Sequence, residues 1–196
     1  MDQPRELVLA STSVYRRALL RRLPLRFEAA APDTDETALP GERPQETAWR
    51  LSLDKARAVA RRFPEALVIG SDQVAALGDE RLGKPGNHAN ALRQLRSLSG
   101  KAADFHTAIS LFDARTGEAR SHVVPYRVVF RSLDERQIEN YLRLEQPYDC
   151  AGSAKSEGLG IVLIERIETE DPTSLIGLPL IALSTMLAQA GMPVLG

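Results

Sequence analysis

The stretch Ala66-Leu-Val-Ile-Gly-Ser-Asp-Gln73 joins a run of apolar residues directly to a carboxylate. Four consecutive apolar side chains followed by a glycine predict a fully buried strand over Ala66–Gly70. In open α/β sheets, ligands bind beyond the carboxyl ends of the strands, where Asp72 is expected to lie. A carboxylate there is a candidate general base or metal ligand. The alternative is an aspartate that only forms a turn.

A second buried strand, Glu6–Ala10, runs into a polar segment of the same kind. Ser11-Thr-Ser13 offers N-cap residues for a helix that we expect from Val14 to about Leu23. Free backbone N–H groups at a helix start attract anions, and Arg16-Arg17 adds positive charge in the first turn. The segment therefore predicts an anion-binding site. It has no Walker-type glycine loop, so it is not an ordinary P-loop. The alternative is that the two arginines only form a solvent-exposed basic face.

The rest of the chain alternates predicted strands and helices, with a hairpin later on, which indicates an α/β fold with a mixed sheet. No repeat, low-complexity tract or linker interrupts it, so residues 1–196 are expected to form one domain. The further expected elements are a strand at Phe27–Ala31, a helix from Pro44 to about Phe63, a turn at Gly78-Asp79, a helix at Asn87–Leu98, strands at Phe105–Phe112 and His122–Phe130, a helix from the capping box Ser132–Glu135 to about Leu144, a strand at Leu159–Ile164 and a helix at Leu180–Ala190.

Length and composition exclude several classes of protein. The chain has 196 residues, 43% of them hydrophobic, which is too apolar for a disordered protein. Its 25 basic and 26 acidic residues give a net charge of −1, which argues against a dedicated nucleic-acid binder. An anionic ligand must therefore be held by a local cluster of basic groups.

Cysteine usage and hydropathy predict a cytoplasmic protein that is not bound to a membrane. Cys150 is the single cysteine, so no internal disulfide forms, and we interpret it as a small buried residue. The apolar run Leu7–Ala10 is too short for a signal peptide. Residues 173–196 carry no charge, but their prolines, glycines and polar side chains favour a buried helix over a membrane span.

Other polar residues favour phosphate chemistry over the alternatives. Acidic residues at 33, 35, 36 and 72, with arginines 16 and 17, Lys55 and Lys84, suit a metal-bound polyphosphate. Taken alone, each of these lysines is an ordinary surface residue. The three histidines lack metal-ligand spacing, which argues against zinc, and Cys150 has no evident catalytic partner.

Eight short motifs follow one another along nearly the whole chain. They are Leu9-Ala-Ser-Thr-Ser13 with Arg16-Arg17, Asp35-Glu36, Lys55-Ala56, Gly70-Ser-Asp72, Gly83-Lys-Pro85, Leu98-Ser-Gly100, Ala151-Gly152 and Gly177-Leu-Pro-Leu180. No single motif is specific, but in this order they resemble the Maf family of nucleoside triphosphate pyrophosphatases. The resemblance implies a mixed, curved sheet flanked by helices, with two lobes around a nucleotide cleft, related in shape to inosine triphosphatases.

The resemblance also implies a reaction, hydrolysis between the α- and β-phosphates with a divalent cation, Mg²⁺ or Mn²⁺. Asp72 would accept the proton of the attacking water and, with Glu36, would hold the metal. The residues implied to hold the triphosphate are Ser11, Arg16, Lys55 and Lys84. Positioning and charge neutralisation are what phosphoryl chemistry requires.

Three features resemble the branch of the family associated with 7-methyl-GTP. Gln73 follows the aspartate where most members carry threonine, Glu157 stands where they carry glutamine, and Tyr15 supplies an aromatic ring. The alternatives are a dTTP or UTP pyrophosphatase of the same family, and a nucleotide-sensing protein in cell-division control. A homodimer is a family-level expectation.

Overall fold

The computed structural model describes residues 3–196. Within this range the chain forms five α-helices, seven β-strands and three short 3₁₀ helices. The α-helices are α1 (Val14–Leu20), α2 (Pro44–Ala60), α3 (His88–Leu98), α4 (Glu135–Glu145) and α5 (Leu180–Gln189). The strands are β1 (Leu7–Ala10), β2 (Glu28–Ala30), β3 (Leu67–Leu77), β4 (Glu80–Leu82), β5 (Ala102–Asp113), β6 (Ala119–Phe130) and β7 (Ile164–Thr169).

The strands form one mixed sheet in the order β2-β1-β3-β5-β6-β7, with β4 paired to β3. β1 pairs in parallel with β2 and β3, so that Leu9 lies opposite Ala29 on one side and Ile69 on the other. The β3–β4 and β6–β7 pairs are antiparallel. The predicted α/β class with a mixed sheet flanked by helices is confirmed.

The chain divides into two compact units. The first unit contains the residues up to Gln73, together with Thr107–Val124 and Asp171–Gly196. The second unit contains Val74–His106 and Pro125–Glu170.

The core of the first unit covers both faces of its parallel strands. Leu9 and Ile69 belong to one buried cluster with Leu183 of α5, while Val8 and Ala56 belong to a second cluster with other residues of α2. Burial on both faces explains why these strands read as continuous apolar runs rather than as alternating ones.

Helix α5 lies where the sequence predicts a buried C-terminal helix. It spans Leu180–Gln189, and three of its residues, Leu183, Met186 and Leu187, are buried. Among residues 3–196, no helix combines the length and the apolar character needed to cross a bilayer.

Helices α1 and α2 end earlier than predicted. They stop at Leu20 and Ala60, and the N–H groups of Leu23 and Phe63 instead bond the carbonyl oxygens three residues before them. Proline follows Leu23 and Phe63 in the sequence. Because a residue before proline is disfavoured in the α conformation, each helix tightens into a turn there.

In the second unit, α3 and α4 pack against each other. A side chain caps the N-terminus of each helix. Asn87 is the N-cap of α3 and accepts the N–H of Asn90 at 2.9 Å, so the helix begins one residue later than predicted. The predicted capping box Ser132–Glu135 is wrong. Asp134 and Gln137 form the box, each side chain accepting the other's backbone N–H at 2.8–2.9 Å. Both pairs have capping-box spacing, so spacing alone does not choose between them.

The predicted strand at Leu159–Ile164 is also wrong. Leu159–Leu163 is a 3₁₀ helix, and β7 begins only at Ile164. The N–H of Leu159 donates to the Glu145 carboxylate at 2.6 Å. This donor is thus satisfied by a side chain rather than by a neighbouring strand.

Candidate active site

Asp72 lies inside a strand, which corrects the sequence prediction that it follows one. β3 does not end at Gly70 but continues to Leu77, where Ala75–Leu77 pair with β4. The polar side chain of Ser71 is accommodated within the strand because its hydroxyl lies 2.8 Å from the carbonyl oxygens of Ala108 and Gly177. Asp72, the next residue of the strand, is buried, with 7% of its surface exposed.

At Gly70 the backbone of α2 lies directly against the strand. A Cβ atom on Gly70 would lie 1.9 Å from the carbonyl oxygen of Ser52 and 2.9 Å from the backbone nitrogen of Ala56. Only glycine leaves room for the helix backbone there. This approach places Lys55, one residue before Ala56, against the strand beside Asp72.

Lys55 joins two carboxylates. Its Nζ atom lies 2.7 Å from Asp72 Oδ1 and 2.6 Å from Glu36 Oε1. Lys55 is only 3% exposed, whereas 62% of the Glu36 side chain is open to solvent. The structure thus brings together three of the predicted site residues, with one side of the cluster buried and the other open.

Burial sets the protonation behaviour of Asp72. Desolvation raises the pKa of its carboxyl group above the ordinary aspartate value, and the charges of Lys55 and Arg16 act in the opposite direction. A carboxylate with a raised pKa accepts a proton more readily than an ordinary aspartate.

Arg16 is oriented by a backbone carbonyl. Its Nε atom donates to the oxygen of Gly177 at 2.8 Å, the same oxygen that Ser71 contacts. Gly177 has φ +110°, and a Cβ there would lie 3.3 Å from Arg16 Nε. Burial lowers the pKa of the Arg16 guanidinium below its usual value, and the negative charges of Asp72 and Glu36 oppose that shift.

Gln73 holds the turn that carries Gly177. Its amide nitrogen lies 2.8 Å from Thr107 Oγ1 and 3.0 Å from the carbonyl oxygens of both Ser174 and Leu175. The side-chain N–H groups of Gln73 therefore donate to partners within the first unit. A contact of Gln73 with a nucleotide base would have to use its carbonyl oxygen.

Ser11 and Tyr15 lie on either side of the start of α1. Ser11 is buried, and its hydroxyl accepts the N–H of Ser13 at 3.1 Å, which leaves its own hydrogen to donate. Ser13, not Ser11, is the N-cap of the helix. Tyr15 lies half-buried in the first turn, directly before Arg16.

Lys84 and Glu157 belong to the second unit and are both exposed. Lys84 lies in the loop between β4 and α3. Glu157 lies in a turn that Glu145 holds from α4 by accepting the N–H of Leu159 and pairing with Lys155 at 3.0 Å. In both places the backbone is fixed while the charged side chain is open to solvent.

A divalent cation fits the carboxylates of the first unit. No group of three metal-binding His, Cys, Asp or Glu side chains occurs in residues 3–196. Glu36 and Asp72 meet at one lysine nitrogen, and the hydroxyl of Thr34 on the Glu36 loop is buried without a hydrogen-bond partner in the described chain. Mg²⁺ at phosphate sites is commonly held by one or two carboxylates plus phosphate oxygens, so two suffice when the substrate supplies the rest.

Cys150 takes no part in this cluster. It is half-buried rather than fully buried as predicted, and burial raises the pKa of its thiol to about 12. Since the thiolate is the reactive form, the side chain is not an activated nucleophile.

Sequence reasoning missed the structural roles of Gly70 and Gly177. Gly70 admits a helix backbone, and Gly177 supplies the oxygen shared by Arg16 and Ser71. A glycine at the end of an otherwise apolar strand pattern signals a close backbone approach, so the first role had a detectable signal. The second depends on a contact across 161 residues and had none.

Comparisons with known proteins give one consistent result. A family model described as "Maf-like protein" matches residues 6–190. Proteins named 7-methyl-GTP pyrophosphatase are similar over nearly their full length. The one from Thiobacillus denitrificans is 60% identical over 96% of this chain and 94% of its own. The relative from Cupriavidus pinatubonensis is 57% identical over 95% of this chain and 94% of its own. The relative from Albidiferax ferrireducens is 54% identical over the whole of both chains.

Proposed function

This chain belongs to the Maf-like protein family, and from that membership we propose that it hydrolyses 7-methyl-GTP to 7-methyl-GMP and pyrophosphate. Relatives at 54–60% identity carry the name of that activity. The observation in this chain that supports it most is the buried Lys55–Asp72 pair with Glu36 at its open side. The cluster combines a proton acceptor with fixed positive charge.

Asp72 is proposed to activate the attacking water. The water oxygen bonds to the α-phosphorus, the bridging bond to the β-phosphate breaks, and pyrophosphate leaves. Asp72 accepts the water proton, which its raised pKa favours. Lys55 donates to Oδ1 of Asp72, and we therefore assign the acceptance of the water proton to Oδ2.

Positive charge is proposed to hold the triphosphate. The basic groups that we assign to this role are Arg16, Lys55 and Lys84, and the Ser11 hydroxyl is assigned as a hydrogen-bond donor. A bound Mg²⁺ or Mn²⁺, held by Glu36 and Asp72, would neutralise charge on the phosphate oxygens. Without such a cation, the two carboxylates would repel a polyphosphate.

Glu157 is proposed to read the base. Guanine presents two adjacent donors, N1–H and the exocyclic amine, and a carboxylate accepts both. Methylation at N7 leaves the purine positively charged, which strengthens this pairing and stacking on an aromatic ring such as that of Tyr15. The carbonyl oxygen of Gln73 is the further neutral group that we assign to the base.

The experiment is release of pyrophosphate from a panel of 7-methyl-GTP, GTP, dTTP and UTP. We expect the highest kcat/KM with 7-methyl-GTP. Equal or faster turnover of dTTP or UTP would replace the proposed substrate with that of the alternative pyrophosphatase. Binding without turnover of any nucleotide would support the sensor in cell-division control instead.

Two further proposals concern the state of the protein in the cell. The single cysteine supports a reducing compartment, the cytoplasm. A homodimer rests on the family resemblance alone, and sedimentation at equilibrium would test it.

A further inference from the structure

Two side chains on one face of α3 hold the loop that carries Lys84 by hydrogen bonds. The amide nitrogen of Gln94 donates to the oxygen of Gly83 at 2.9 Å, and that of Asn90 donates to the oxygen of Pro85 at 2.8 Å. Asn90 and Gln94 are four residues apart, so they share a helix face. The peptide groups on both sides of Lys84 are therefore fixed while its side chain stays exposed.

The same Gln94 side chain also binds the segment that leads to Glu157. Its Oε1 atom accepts the hydroxyl of Ser153 at 2.5 Å. Ser153 is fully buried and has φ +57°, next to Gly152 at φ +70°. The left-handed region is costly for a non-glycine residue such as Ser153. A specific tertiary contact is therefore needed to hold this backbone conformation.

Beyond Ser153, the chain is held up to Glu157 by other contacts in the second unit. The backbone N–H of Lys155 donates to the hydroxyl of Tyr141 at 3.0 Å, and that of Gly158 to the oxygen of Lys155 at 3.0 Å. These hydrogen bonds hold the short segment 153–158 together. A shift of Ser153 therefore also moves the backbone at Glu157.

We propose that Gln94 is a positioning residue that sets the Lys84 loop and the Glu157 segment relative to each other through the two ends of one amide. The inference rests on the proposed function, in which Lys84 binds phosphate and Glu157 reads the base. An amide suits this task because it donates at one end and accepts at the other. A lysine or arginine side chain offers no acceptor, and an ionised carboxylate offers no donor, so neither could make both contacts.

The Gln94 side chain has two arms: the hydrogen bond that it donates to Gly83 and the one that it accepts from Ser153. Each arm can be removed separately by substitution. Gln94→Glu keeps the acceptor for Ser153 but replaces the donor to Gly83 with a carboxylate oxygen. Ser153→Ala removes only the hydroxyl, and Ser153→Gly removes it without left-handed strain. Gln94→Ala removes both arms, and Gln189→Ala, an exposed glutamine on α5, is the matched control.

Two readouts separate the arms. Inhibition by inorganic tripolyphosphate reports phosphate binding without a base, and the ratio of kcat/KM for 7-methyl-GTP to that for UTP, which lacks the two adjacent donors of guanine, reports base reading. We expect Gln94→Glu to raise the tripolyphosphate inhibition constant and both Ser153 variants to lower the selectivity ratio, each roughly two- to tenfold, as for one hydrogen bond. Gln94→Ala should change both, and Gln189→Ala neither.

Hydrogen–deuterium exchange supplies a readout that needs no substrate. Gln94→Ala should raise exchange in the peptides covering residues 83–86 and 150–158 together. If Gln94→Ala leaves both kinetic readouts within twofold of wild type, or changes kcat alike for all nucleotides, the positioning role is overturned. Absence of 7-methyl-GTP turnover by the wild type would refute the proposed function instead, and exchange in the two peptides would then decide the inference.

Discussion

The two units hold their predicted functional charges in opposite ways. In the first unit, Lys55 and Asp72 are buried and paired directly with each other. In the second unit, Lys84 and Glu157 are exposed, and the surrounding backbone, not the charged group, makes the fixing contacts. A buried charge has a shifted pKa and contributes to folding, whereas an exposed charge on a fixed loop is available for binding at little cost to stability.

Asp72→Asn should have the largest effect on activity. We expect kcat to fall about a thousandfold or more, ~4 kcal/mol of barrier, because an amide cannot accept the water proton. The fold should persist, since the amide oxygen still accepts from Lys55. Single-turnover release of pyrophosphate measures this. Asp54→Asn on α2 is the control, and a residual rate within about tenfold of wild type would remove Asp72 from the role of base.

Lys55→Met and Lys84→Met compare the two units directly. Lys55→Met leaves a buried carboxylate without its partner and should lower the free energy of unfolding by about 3–5 kcal/mol. Lys84→Met should change it by less than about 0.5 kcal/mol while weakening tripolyphosphate inhibition. Urea unfolding measures the first effect. Equal destabilisation by both variants would remove the contrast between the units.

Gly70→Ala and Gly83→Ala compare one glycine from each unit. Gly70→Ala forces a Cβ into the backbone of α2 and should destabilise the protein by about 3 kcal/mol, or more if the helix is displaced. At Gly83 a Cβ meets no atom within 4 Å, so Gly83→Ala should cost less than about 1 kcal/mol. Thermal unfolding of both variants is the measurement; a stable Gly70→Ala protein would show that α2 can retreat without cost.

Glu157→Gln should change substrate choice rather than stability. Loss of a charge-assisted hydrogen bond of ~1.5–3 kcal/mol implies a loss of roughly ten- to a hundredfold in preference for 7-methyl-GTP over dTTP and UTP, which lack the two adjacent donors of guanine. The matched control is Glu165→Gln, an exposed carboxylate at the start of β7. An unchanged preference would assign base reading to other residues.

The smallest expected effect is on the pH profile. Burial raises the pKa of Asp72, so kcat/KM should rise with pH on an acidic limb that lies above the ordinary aspartate value of 3.8. The charge of Glu36 adds to this shift. Glu36→Gln should therefore move the limb to lower pH, whatever it does to the maximal rate. A limb that moves upward would contradict the assignment of the limb to Asp72.

Local sequence signals predicted most elements of the fold but misplaced several of their ends. The apolar runs of β1 and β3 and the helix over residues 88–98 were predicted correctly, because each depends on neighbouring residues. The continuation of β3 through Asp72 was missed, since it depends on pairing with β4 and on oxygens from distant segments that accept the Ser71 hydroxyl. Leu159 was misread because Glu145, on another element, takes its N–H.

By itself, the sequence determined the α/β class, the family and the identity of the candidate site residues, because these follow from hydrophobic periodicity and from the order of short motifs. Only the tertiary structure decided that Lys55 joins Asp72 to Glu36, that Gly177 orients Arg16, and that the N–H groups of Gln73 are used within the protein. Those contacts join residues that are distant in the chain. Their geometry is set by how closely helices and strands pack, and Gly70, where the backbone of α2 meets β3, controls only the first of these contacts.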